Sequence, residues 1–261
     1  MLDSQIIAQF GDELYTAFAE RKPIAPLTER MPAMTIGDAY SIQQRMLNHR
    51  LEKGEKVVGK KIGITSQAVM NMLNVHQPDF GYLLDGMIYN DGDAIPMNTL
   101  ISPRAEGEIA FILSRDLQGP GITEADVMAA TDCVMPCFEI VDSRIRDWKI
   151  KIQDTVADNA SSGVFVLGDR VVNPRDIDLP LCGMVLEKNG EVVATGAGAA
   201  ALGSPAASVA WLANALGELG VALKAGEVIL SGALASMIPA SAGDCFRVSI
   251  GNMGSSTVRF C

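Results

Sequence analysis

The sequence predicts an α+β fold, and three observations carry that expectation. Helical periodicity opens the chain, short strand-like runs separated by glycine-rich turns follow from Val57, and no regular βαβ alternation connects them. Residues 4–21 place Ile7, Phe10, Leu14 and Phe18 on one stripe, a helix stopped before Pro23. A connector with Pro23, Pro26 and Pro32 leads to a second helix, capped by Thr35 with Asp38 at its third position and ended by Gly54. Val57–Ile64 reads as a strand, Ser66–Leu73 as a short helix and 74–82 as a loop. The alternation of Ile109, Phe111 and Leu113 marks a strand over 103–113. Thr123 caps a short helix to Ala130, and 134–141 is a second apolar strand. Asn189-Gly190 suits a type I′ hairpin turn, and Ser204-Pro205 opens a helix to about Leu219, beyond which stands Gly220. Strands around 227–232, 245–250 and 255–260 complete the pattern. Two parts are expected: a helical segment over 1–56 and one larger unit over 57–261.

With 48% apolar residues the chain can fill a core. Its formal charge of 21 − 31 = −10, with no long basic cluster, argues against nucleic acid and against anionic membrane surfaces. No apolar run approaches the roughly 18–20 residues of a membrane span, and the N-terminus lacks a basic leader, so a cytoplasmic protein is expected. Cys133, Cys137, Cys182, Cys245 and Cys261 form no Cys-x-x-Cys and have no nearby histidine to complete a zinc site; reduced thiols are expected. The segment Gly196–Gly203 contains a loose Gly-x-Gly without the strand-turn-helix context of a dinucleotide site.

Glu106 and Glu108 carry the chemistry. Two residues apart on a strand, they project from the same face, where paired anions near a core need a cation or a shared proton. Glu139 lies in the second apolar strand. Three carboxylates without histidine or thiolate suit a hard divalent cation, Mg²⁺ or Mn²⁺. The plain alternative is that Glu106 and Glu108 line the wet face of an amphipathic strand. His49 reads as a surface residue and His76 as a structural loop residue. With no Gly-x-Ser-x-Gly elbow, a Ser-His-Asp hydrolase is not expected.

Ordered motifs along nearly the whole chain resemble one family. They are Gly59-Lys-Lys-Ile-Gly-Ile-Thr-Ser66, Asn74-Val-His-Gln-Pro-Asp-Phe-Gly-Tyr82, Pro103-Arg-Ala-Glu-Gly-Glu-Ile-Ala-Phe111, Glu139-Ile-Val-Asp-Ser-Arg144, Asp147-Trp-Lys149, Val156-Ala-Asp-Asn-Ala-Ser161 and Gly196-Ala-Gly-Ala-Ala200. The family is the hydratase and decarboxylase group of aromatic meta-cleavage pathways, within the fumarylacetoacetate hydrolase-like superfamily. The resemblance implies a mixed β-sandwich roll over 57–261 behind an N-terminal helical part, assembled as a homo-oligomer. It implies Mg²⁺ or Mn²⁺ held by Glu106, Glu108 and Glu139. Lys60 and Arg104 are expected beside a small 2-hydroxydienoate or 2-oxo acid substrate, with Lys60 also catalytic. Asp79 and Ser161 are expected to move protons, Ser161 also touching substrate. Asp79 favours hydration, because decarboxylases of the group usually carry an aliphatic residue there. The alternatives are the sister 4-oxalocrotonate decarboxylase activity and a non-catalytic partner in a hydratase–decarboxylase complex; association with such a decarboxylase is a possible partnership in any case.

Overall fold

A computed structural model describes residues 2–261, without the side chains of Met72 and Leu73. Helix α1 (Ser4–Glu20) is capped by the Asp3 carboxylate accepting from Gln5 N, and it ends on a left-handed Arg21. A single turn, α2 (Leu27–Arg30), leads to α3 (Ile36–Glu52), where Thr35 and Asp38 form the expected reciprocal capping box. Strand β1 (Val57–Gly63), helix α4 (Gln67–Leu73) and strand β2 (Asp79–Leu84) follow. The expected loop over 74–82 therefore stops at Asp79, where the chain pairs antiparallel with β1 and sets Asp79 opposite Gly63.

Next come β3 (Ile88–Asn90), β4 (Ala94–Ile95), β5 (Pro103–Leu113), α5 (Glu124–Ala130), β6 (Thr131–Asp142), α6 (Ile152–Ala157) and β7 (Ser162–Leu167). The last third supplies β8 (Gly183–Lys188), β9 (Glu191–Ala197), α7 (Pro205–Glu218), β10 (Val228–Leu230), β11 (Ile238–Pro239), β12 (Cys245–Ile250) and β13 (Gly254–Phe260). Asn189 and Gly190 between β8 and β9 both take positive φ, as a type I′ turn requires. Ser204 precedes α7 as expected but makes no side-chain capping bond.

Two sheets form. The larger runs β2-β1-β10-β5-β6-β7-β3, with β11 also on β5; the smaller runs β4-β13-β12-β8-β9. One face of the large sheet meets the small one, and Phe138, Phe246 and Phe260 interlock edge to face between them. The same apolar cluster takes in Ile62, Ile109, Phe111, Ile140 and the inner side of α7. By alternation, the neighbours of these residues on β1, β5 and β6 point to the opposite face. There Leu83, Ala110, Cys137, Phe165 and Leu230 pack under Leu47 of α3. Helices α1 and α3 share a further cluster with Ile145, Val156 and Ala157.

The stretch Gly198–Glu218, with mean hydropathy 1.2, is long and apolar enough to cross a membrane by length and composition, against the sequence expectation. Of its most apolar 18 residues 56% are buried within the fold, and its helical part, α7, packs on α5 and β1.

Candidate metal centre

The β5–β6 register builds the site. Glu106 stands opposite Glu139, and Glu108 opposite Cys137 two residues away, so alternation puts all three carboxylates on the helix-covered face. One oxygen from each lies within 4.8 Å of the others. Glu108 and Glu139 are fully buried and Glu106 is half-buried. Glu108 Oε2 accepts from Gly232 N at 2.8 Å, while Glu108 Oε1 and both oxygens of Glu139 are buried without a hydrogen-bond partner. Gly232 sits at φ +103°, where a Cβ would lie 2.4 Å from Thr65 Oγ1, so only glycine presents this N–H to the carboxylate.

Lys61, not Lys60, is the lysine of this face. Its Nζ lies 3.2 Å from Glu139 Oε1, an ion-pair contact. Lys60 is corrected on the same period of two that builds the site: it shares the core-facing side of β1 with Ile62 and bonds Glu227 at 2.5 and 2.6 Å. Ile62 was the readable signal, since an apolar residue two positions on assigns Lys60 to the core side and Lys61 to the other.

Asp79 reaches the same place from β2. A Cβ on Gly63 would lie 2.2 Å from Asp79 Oδ1 and 3.3 Å from Lys61 Nζ, so the absence of a side chain there leaves the room in which the two approach. Asp79 is buried and its Oδ1 has no partner. Four carboxylates against one ammonium give −4 + 1 = −3 if all ionise, a charge that burial does not tolerate unbalanced.

The proton affinities follow. Burial pushes Glu106 up to about 7, reinforced by Glu139, and raises Glu108 further, with Glu139 and Glu106 adding repulsion. Glu139 and Asp79 are raised by burial, with Lys61 opposing the rise in each case. Burial alone would lower the Lys61 ammonium, but Glu139, Asp79, Glu106 and Glu108 together hold it above its ordinary value. An all-oxygen donor set with orphaned buried oxygens and surplus negative charge fits a hard divalent cation.

Arg104 shares the face of Glu106 and Glu108 by alternation, and its guanidinium stacks 4.5 Å over the Trp148 ring. Burial lowers its proton affinity, an effect Glu106 opposes. Ser161 lies on a turn against β2, its hydroxyl 3.1 Å from Thr155 Oγ1. The adjacent Ser162, which sequence reasoning did not single out, is also buried, and its hydroxyl has no hydrogen-bond partner. Asn159, Ala160 and Ser161 all have φ of 50–54°, at roughly 1–2 kcal/mol per residue for non-glycine side chains. The Asn159 side chain holds this turn to β2, accepting from Tyr82 N at 2.8 Å and donating to Tyr82 O at 2.9 Å. Gly81 permits the approach, since a Cβ there would lie 2.5 Å from Asn159 O. His76 is exposed in its loop, and His49 bonds Asp12 at 2.6 Å, away from the carboxylates.

The family described as fumarylacetoacetate (FAA) hydrolase C-terminal matches residues 60–260. A 2-hydroxypent-2,4-dienoate hydratase of Pseudomonas putida is 64% identical over 222 residues, covering 85% of this chain and 100% of that protein. A 2-hydroxyhexa-2,4-dienoate hydratase of Comamonas testosteroni is 56% identical over 262 residues, covering 100% of this chain and 99% of that one. Among solved structures, a 4-oxalocrotonate decarboxylase of Pseudomonas putida G7, complexed with magnesium and adipate, superposes with a TM-score of 0.97 at 38% identity, over 100% of this chain and 99% of that one.

Proposed function

We propose, for a chain that belongs to the fumarylacetoacetate hydrolase C-terminal family, the activity of a metal-dependent hydro-lyase. The reaction is conversion of 2-hydroxypenta-2,4-dienoate and water to 4-hydroxy-2-oxopentanoate. The observation that carries this reading is the match in sequence to dienoate hydratases, at 64% and 56% identity over most or all of the chain.

Glu106, Glu108 and Glu139 would hold Mg²⁺ or Mn²⁺. Bound there, the ion would draw electron density from the carbonyl oxygen of a 2-oxo acid and make its conjugated carbon electrophilic toward water. The remaining roles belong to the chain. Lys61, held charged by four carboxylates, attracts the substrate carboxylate, the role the sequence suggested for Lys60. Arg104, braced on Trp148, offers a second positive group on the same face as Glu106. Asp79, kept protonated longer than an ordinary carboxyl by burial, supplies the proton to carbon on ketonisation. Ser161, bonded to Thr155, orients the attacking water or the substrate hydroxyl.

The decarboxylase likeness supports a second reading, 2-oxo-3-hexenedioate decarboxylation. Asp79 weighs against it, being a proton donor that loss of CO₂ does not need at that position. Two finer points belong to the same proposal. Exposed Leu181, Val185, Val192 and Val193 around the β8–β9 hairpin support a homo-oligomer, or association with such a decarboxylase. Five free cysteines support a reducing, cytoplasmic setting.

Incubating the protein and Mn²⁺ with freshly generated 2-hydroxypenta-2,4-dienoate, and separately with 2-oxo-3-hexenedioate, tests the choice. The expected result is 4-hydroxy-2-oxopentanoate from the first and no CO₂ from the second. Release of CO₂ without hydrated product would reverse the assignment.

A further inference from the structure

Arg144, at the end of β6, reaches a part of the site that no role above explains. Its guanidinium is fully enclosed, with 2% of the residue exposed. The fork bonds both ends of the left-handed turn. Nη2 donates to the Asp158 carbonyl just before it, and Nη1 donates to the Ser162 carbonyl just after it, at 2.8 Å. Nε meets the Asp158 carboxylate, whose second oxygen accepts from Arg144 N at 2.9 Å and from Ser143 Oγ at 3.3 Å. Nη1 also bonds the Asp142 carbonyl on β6 itself. Between the two clamped carbonyls lie Asn159, Ala160 and Ser161, three consecutive non-glycine residues at positive φ. That conformation persists only where surrounding contacts over-determine it. Asn159 ties the turn to β2, and Arg144 ties both its ends to β6, the strand of Glu139.

We propose that Arg144 is a positioning residue: by clamping the strained turn 159–161 it fixes the Ser161 hydroxyl relative to the carboxylate face. This rests on the reading of Ser161 given above. A lysine at 144 keeps the charge opposite Asp158 but cannot reach three carbonyls in a planar fork.

Kinetics of the full-length protein with saturating Mn²⁺ test it, using R144K, S161A and the double variant. R144K is expected to lower kcat about 10–100-fold with KM changed less than about threefold, the signature of misplaced geometry rather than lost binding. In the S161A background the same change is expected to lower kcat by no more than about twofold, because there is no longer a hydroxyl to position. If S161A alone is slow and R144K multiplies its loss in the double variant, positioning is overturned while Ser161 keeps its role. A near-native S161A would overturn the Ser161 reading and the positioning role with it. A160G in the R144K background is expected to restore kcat several-fold, because glycine holds positive φ without a Cβ; no recovery would count against the clamp. Should R144K fail to fold, N159D loosens the same turn by replacing the donor to Tyr82 O, and its additivity with S161A decides the question in the same way.

Discussion

Two adjacent lysines with opposite fates make the residue-scale case. Lys61 faces three glutamates and Asp79; Lys60 faces the core side and closes on Glu227. Lys61→Met is expected to lower kcat/KM by at least about 100-fold, since the site loses the ammonium that lies 3.2 Å from Glu139. Lys60→Met should keep turnover within a few-fold of native while destabilising the fold by about 1–3 kcal/mol, because Glu227 loses its ion-pair partner and keeps only the Lys224 N–H. Turnover and thermal melting of both variants check this, and the reverse pattern would return the role to Lys60. The glutamates stood out in sequence as acids beside or inside apolar strand runs, whereas Asp79, in a segment that reads as loop, was pointed to by the family resemblance alone. The lysine was not legible, since two identical neighbours differ only in which face of a strand they take, and that had to be inferred from Ile62.

At the scale of elements, the site depends on registers. The β5–β6 pairing sets Glu106 against Glu139, and β1–β2 sets Gly63 against Asp79. Gly63→Ala would drive a methyl to within 2.2 Å of Asp79 Oδ1 and 3.3 Å of Lys61 Nζ. The expected outcome is a loss of about 10-fold or more in kcat from displacement of Asp79. Mn²⁺ affinity measured by titration should change less than kcat, because the three glutamates stand on other strands and only Glu139 touches Lys61. Strand periodicity, caps and the Asn189-Gly190 turn made most elements readable from local sequence. The start of β2 at Asp79 was not, because Gln77 and Pro78 read as loop and only pairing with β1 makes the following residues a strand. Nor does local sequence announce the left-handed turn 159–161, which holds no glycine and whose contacts run to distant residues, Asn159 to Tyr82 and the flanking Ser162 carbonyl to Arg144.

For the molecule as a whole, the site is a store of unfavourable charge. Glu106, Glu108, Glu139 and Asp79 all bind protons more tightly than ordinary carboxyls, Glu106 up to about 7. Without metal, these four carboxyls therefore hold more protons in the folded chain than in the unfolded chain from about pH 4 upward. Their contribution to stability falls as pH rises through about 7, and Glu108, raised further than Glu106, extends the fall beyond it. Differential scanning of metal-stripped protein is expected to give a lower Tm near pH 7.5 than near pH 5.5, and added Mg²⁺ to raise Tm more at the higher pH. A metal-free Tm that climbs over the same range would contradict the charge assignment. The α+β class and the two-part ordering of helices before strands follow from periodicity. The way two sheets enclose one core while helices roof the opposite face depends on long-range pairing that periodicity does not encode.

A Mn²⁺ titration of metal-stripped protein, following bound ion and hydration of 2-hydroxypenta-2,4-dienoate together for the native chain and for Glu106→Gln, tests whether the three glutamates hold the ion the reaction uses. Activity should rise from near zero in step with one ion bound per chain, and the variant should stay folded, bind Mn²⁺ weakly and remain inactive. Full hydratase activity in the stripped native protein, or near-native turnover in the variant, would show that the three glutamates do not hold the ion the reaction uses.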